Sequence, residues 1–108
     1  MNRYQFKHGM NSDTELSDKL RRRIIKQSIE RVPWKLKCTI TMEELAELQQ
    51  QISKQIRGCG DEENLGLIEE MADVYICLEY LKSIFKIDPE TMQKAIDVKL
   101  LREKGRCK

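Results

Sequence analysis

The sequence predicts an all-α fold, a four-helix array of bundle type, and three observations carry that prediction. Apolar residues recur at helical spacing in four separate stretches. No stretch alternates as a half-buried strand does. The chain is rich in Leu, Ile, Glu, Lys and Gln, with 35% charged but only 6% aromatic residues. A length of 108 residues makes one domain, divided into a mobile arm over residues 1–11 and a single helical domain over residues 12–108. Because a domain of this size buries only about 65% of the surface its unfolded chain exposes, a homo-oligomer is expected.

Residues 1–11 show no periodicity and no apolar signal-peptide core. The first predicted helix opens on a capping-box pattern, Ser12 with Glu15, and carries Leu16, Leu20, Ile24, Ile25, Ile29 and Val32. Pro33 ends it, since proline lacks the backbone donor a helix interior requires. A linker, PWKLKCTI, then leads to the second predicted helix over residues 41–57, where Thr41 and Glu44 make another capping box. Met42, Leu45, Leu48, Ile52 and Ile56 form its apolar stripe, and its acids lie away from that stripe. Gly58, Gly60 and the polar run DEEN close this helix, with Asn64 as cap for the next.

The third predicted helix, residues 65–85, has a broad apolar stripe of Leu67, Met71, Val74, Leu78, Leu81 and Phe85. Asp88 as cap and Pro89 at the first position start the fourth, which carries Met92, Ala95, Ile96 and Leu100 and ends near Gly105.

Several function classes are argued against directly. No apolar run approaches the roughly 20 residues that span a bilayer, so no membrane association is expected, and the location is expected to be cytoplasmic. His8 is the sole histidine, which argues against a Ser-His-Asp triad and a His-rich metal site. The four cysteines lack CxxC spacing, and Cys77 reads as a small hydrophobe. There is no GxxxxGK[ST] phosphate loop.

Charge is distributed unevenly despite a net of only +2. Residues 1–40 hold ten Lys or Arg against four acids, residues 41–97 five against thirteen, and residues 98–108 five against one. An acidic middle suited to a cation, between basic ends suited to an anion, fits a metal-bound phosphate; solvated basic termini are the alternative.

The acids of the two central helices sharpen this. On a helix Glu43, Glu44 and Glu47 fall within an arc of about 100°, and Glu70 and Asp73 are neighbours one turn apart. A solvated acidic face accounts for the first group as well as a site does. Glu70, however, projects within the apolar arc of its helix, where a carboxylate needs a cation, a metal or a proton. Four or five acids with few nearby bases suggest a divalent cation held by oxygen ligands. Trp34, the only tryptophan, is either a packing anchor or a surface for stacking a base.

Glu43-Glu44-x-x-Glu47, followed after 22 residues by Glu70-x-x-Asp73, resembles the EExxE…ExxD signature of the MazG-type all-α nucleoside triphosphate pyrophosphohydrolases. The likeness extends to VYICLEYL, to the turn IDPE and to the basic ending KLLREKGR, covering residues 35–106. It implies a hydrolase dependent on Mg²⁺ or Mn²⁺ that cuts a nucleoside triphosphate between its α and β phosphates. It also implies that Glu43, Glu44, Glu47, Glu70 and Asp73 bind metal or activate water. Phosphate-binding cations are implied in the basic ending, among Lys99, Arg102, Lys104 and Arg106, with Lys99 expected to point inward. A dimer or tetramer is implied as well. Within this class a narrower dUTPase-like or dCTPase-like enzyme is an alternative. Outside it stand a helical nucleic-acid-binding or interaction module using Arg21, Arg22, Arg23 and the basic C-terminus, and a helix-packing module whose acids serve solubility.

Overall fold

The computed structural model describes residues 1–61 and 63–107; Glu62, in the loop expected after the second predicted helix, and the terminal Lys108 lie outside the described residues. Among the described residues the chain is all-helical, with α1 (Arg3–Met10), α2 (Asp18–Glu30), α3 (Trp34–Ile56), α4 (Leu65–Ile84) and α5 (Pro89–Arg106). Among the described residues no helix is long and apolar enough to cross a membrane.

The additional helix is α1, in the stretch expected to be an arm. Asn2 and Gln5 close a reciprocal capping box around its first turn. Arg3 then ties it down, reaching Asp61 at 3.0 Å and Glu69 at 2.9 Å. Ser12 does not cap α2. Its hydroxyl instead donates to the Gly9 carbonyl in the last turn of α1, and Ser17 caps α2 through the Leu20 amide.

The expected linker over residues 33–40 is helical. Pro33 occupies the N-cap of α3, where a missing N–H costs nothing, and the chain turns directly into a helix of 23 residues. Thr41 is therefore interior to the helix, and its hydroxyl donates to the Lys37 carbonyl at 3.0 Å instead of capping. Gly58, at φ +73°, supplies the left-handed residue that ends α3, and the Cys59 amide closes back onto the Lys54 carbonyl at 2.8 Å.

Asn64 occupies the N-cap of α4, but its side chain makes no cap bond. Asp61 fills that role, accepting from the Leu65 amide at 2.6 Å and the Gly66 amide at 3.0 Å while also holding Arg3. Asp88 and Pro89 start α5 as the sequence predicts, with the Thr91 amide donating to Asp88 at 2.7 Å.

The centre of the packing is α3 against α4, with α2 and α1 added onto α4. The two central helices meet on unexpected faces. Lys37, Ile40, Thr41, Glu44, Leu48, Gln51 and Gln55 share one arc of α3 and are withdrawn from solvent, with Cys38 also half-buried. The apolar stripe lies about 90° around the helix and stays open: Met42 is 69% and Ile56 81% exposed, with Leu45 and Ile52 about half exposed. On α4, likewise, Gly66, Glu70, Asp73 and Cys77 face α3, while of the predicted stripe Leu67, Val74 and Leu81 are half-buried and Met71, Leu78 and the C-cap Phe85 are about half exposed.

Cys77 is the only buried apolar side chain among the described residues. The chain exposes 9031 Å², whereas a compact monomer of this mass exposes about 6,300 Å². Its radius of gyration is 16.3 Å, against about 13 Å for a compact chain of this length.

Candidate functional site

Because α3 and α4 meet on their polar flanks, the carboxylates converge between them. One oxygen each from Glu44, Glu47 and Glu70 lies within 4.8 Å of the others. Glu44 sits near the middle of the packed arc of α3. Glu47, about 60° away from it, reaches in from the margin, and Glu43, about 100° away on the other side of Glu47, is exposed and outside the cluster. Asp73, half-buried on α4, approaches Glu44.

This grouping holds protons tightly. Withdrawal from water, reinforced by the charges of Asp73, Glu47 and Glu70, pushes the Glu44 carboxyl from its ordinary 4.5 to about 7. Burial, with Glu47 and Asp73 close by, also raises Glu70. Burial is the leading cause of the upward shift at Asp73 too, opposed by its contact with Glu44. One oxygen of Glu44 and one of Glu70 are buried without a hydrogen-bond partner. Unpartnered oxygens and mutually repelling acids on facing helices form a donor set that a hard divalent cation satisfies, by neutralising the charge and filling the lone pairs.

Next to the cluster a cleft of about 180 Å³ is lined by Lys37, Ile40, Glu44, Asp73, Ile76, Cys77 and Tyr80. Its cation is new relative to the sequence reading. Lys37 is only 8% exposed, lies 4.3 Å over the Tyr80 ring, and donates to the Ser28 hydroxyl at 2.7 Å. Ser28 donates onward to the Tyr80 hydroxyl at 3.0 Å. Placed in a linker, Lys37 carried no signal. Placed in α3 it stands seven residues before Glu44, two turns along the same face.

The cations expected from the basic ending are elsewhere. Arg102 and Lys104 are exposed on α5, and Lys99, also exposed, borders that helix's own apolar face with Met92, Ile96 and Leu100. None of them lines the cleft. Trp34, half exposed at the start of α3, meets Phe85 edge-on with ring centroids 6.0 Å apart, as a packing anchor does. Arg22 and Arg23 are exposed on α2, and Arg21 pairs with Asp18. Comparison with profiles of known families, with curated proteins and with solved structures returns no match for this chain.

Proposed function

We propose that this chain is a metal-dependent nucleoside triphosphate pyrophosphohydrolase of the MazG-like type, cleaving between the α and β phosphates to give a monophosphate and pyrophosphate. The observation that carries this reading is the convergence of Glu44, Glu47 and Glu70 across α3 and α4, with Asp73 beside them and two buried oxygens unpartnered. In it Glu44, Glu47, Glu70 and Asp73 hold Mg²⁺ or Mn²⁺. Such an ion, when bound, would offset charge on phosphoryl oxygens and lower the pKa of an attacking water. A carboxylate of the cluster that does not coordinate the ion would orient that water and take up its proton. Glu43, exposed on α3, is left outside the metal set.

The reading includes a homo-oligomer. The open stripes of α3 and α4, together with an exposed surface well above that of a compact monomer, supply the apolar area an obligate interface needs.

The test is incubation with a panel of ribo- and deoxyribonucleoside triphosphates, with and without Mg²⁺, resolving pyrophosphate from orthophosphate. Metal-dependent pyrophosphate release is expected. Release of orthophosphate and diphosphate overturns the cleavage position. No hydrolysis, together with DNA affinity falling steeply with salt, replaces the enzyme by a nucleic-acid-binding module.

A further inference from the structure

We propose that Lys37 binds an anionic phosphoryl oxygen of the nucleotide, making the cleft a two-ended site with carboxylates for a cation at one end and a buried ammonium for the polyphosphate at the other. This rests on the pyrophosphohydrolase reading and names a group in its substrate site.

Three observations lead to it. First, Lys37 is more than nine-tenths buried yet is in none of the ion pairs formed by the described residues, although Glu44 and Asp73 line the same cleft. A buried charge without a counter-charge is costly, and an anionic ligand removes that cost. Second, the ammonium has three donors, and the hydroxyl of Ser28 takes only one. The Tyr80 ring meets the charge from another side without occupying a donor in a conventional hydrogen bond. Third, the direction of the side chain is fixed. Ser28 comes from α2, Tyr80 from α4 and Lys37 from α3, so three helices hold one ammonium at the wall of the cleft. Ser28 is accordingly a positioning residue, acting through Lys37.

A lysine whose role is only to pin the three helices together predicts a different pattern, because its loss would weaken everything the site binds. The experiment separates the two. Mn²⁺ alone is titrated by electron paramagnetic resonance, and inorganic pyrophosphate is titrated calorimetrically in saturating Mg²⁺, against wild type, Lys37→Met and Ser28→Ala. Lys37→Met is expected to bind Mn²⁺ within threefold of wild type while losing at least tenfold in pyrophosphate affinity, with a smaller loss for Ser28→Ala. In wild type, the ε-methylene resonance of Lys37 is expected to move when pyrophosphate is added to the Mg²⁺-saturated protein, a measurement independent of whether the variant folds. Unchanged pyrophosphate affinity in Lys37→Met, or a stationary ε-methylene signal, overturns the assignment of Lys37 and leaves the metal reading intact. Parallel loss of Mn²⁺ and pyrophosphate makes Lys37 structural and overturns it too. Wild type that binds neither probe overturns the pyrophosphohydrolase reading and this proposal with it.

Discussion

Replacing Glu44 by Gln removes a charge from a place that resists it. In the metal-free protein the Glu44 carboxyl is raised from 4.5 to about 7, a difference worth about 3 kcal/mol at pH values above both. Water still reaches this half-buried group, which lowers the usable figure to about 1–2 kcal/mol. The sign follows from proton counting. Between pH 4.5 and 7 the folded chain binds more protons at this site than the unfolded one, so stability falls as pH rises through that window. Glu70 and Asp73 are shifted the same way. Asp61 and Asp88, held low by the backbone amides they accept from, act only at lower pH. Glu44→Gln is therefore expected to be more stable than wild type by about 1–2 kcal/mol at pH 8 in EDTA, with the gain shrinking toward zero at pH 4.5. Urea unfolding followed by circular dichroism at the two pH values measures it. Saturating Mg²⁺ is expected to reverse the order at pH 8, since ligand binding stabilises by about 2.7 kcal/mol at a hundred times its dissociation constant. A variant no more stable than wild type at pH 8 without metal, or a gain of equal size at both pH values, refutes the argument.

Glu70→Gln should lower Mg²⁺-dependent pyrophosphate release by at least about a hundredfold and abolish the Mg²⁺-induced rise in Tm; a retained rate removes Glu70 from the site. At Gly66 an added Cβ would stand 2.6 Å from the Gln51 side chain and 2.9 Å from that of Arg3. Both contacts are with the ends of flexible side chains, so Gly66→Ala should displace α1 while changing global stability by less than about 1 kcal/mol, the better helix propensity offsetting the crowding. Faster limited proteolysis within residues 1–12 is the measurement, and unchanged cleavage counts against the Arg3 tether. If the proposed homo-oligomer forms through the open stripe of α3, Met42→Glu and Ile56→Glu should each reduce the sedimentation coefficient at micromolar concentration, and an unaltered coefficient counts against that contact.

Periodicity located four of the five helices, because each has an apolar stripe that repeats at helical spacing whatever it packs against. It did not say which flank the neighbour would cover. In α3 and α4 the covered flank is the one bearing Thr41, Glu44, Glu70 and Asp73, so the carboxylates are nearer to one another than a stripe-centred packing implies. The Thr41–Glu44 pattern misled for a local reason: a threonine hydroxyl bonds a carbonyl four residues back as readily as it caps, and only the position of the helix start separates the two. That same misplaced start hid Lys37. Helix α1 lacks periodicity because its attachment is ionic, through Arg3 to Asp61 and Glu69, partners some sixty residues away in the sequence.

The isolation of α5 bears on what the melting of this protein would report. A helix of 18 residues with no closely packed neighbour among the described residues is near the length at which helices in water are only marginally formed. Its amide hydrogens should exchange with solvent far faster than those of α3 and α4 whenever the chain is dilute, and slow only as a second surface covers Met92, Ile96 and Leu100. Amide protection along α5, followed across a dilution series, would then act as a gauge of the proposed self-association, while the amides between α3 and α4 gauge the folding of the single chain.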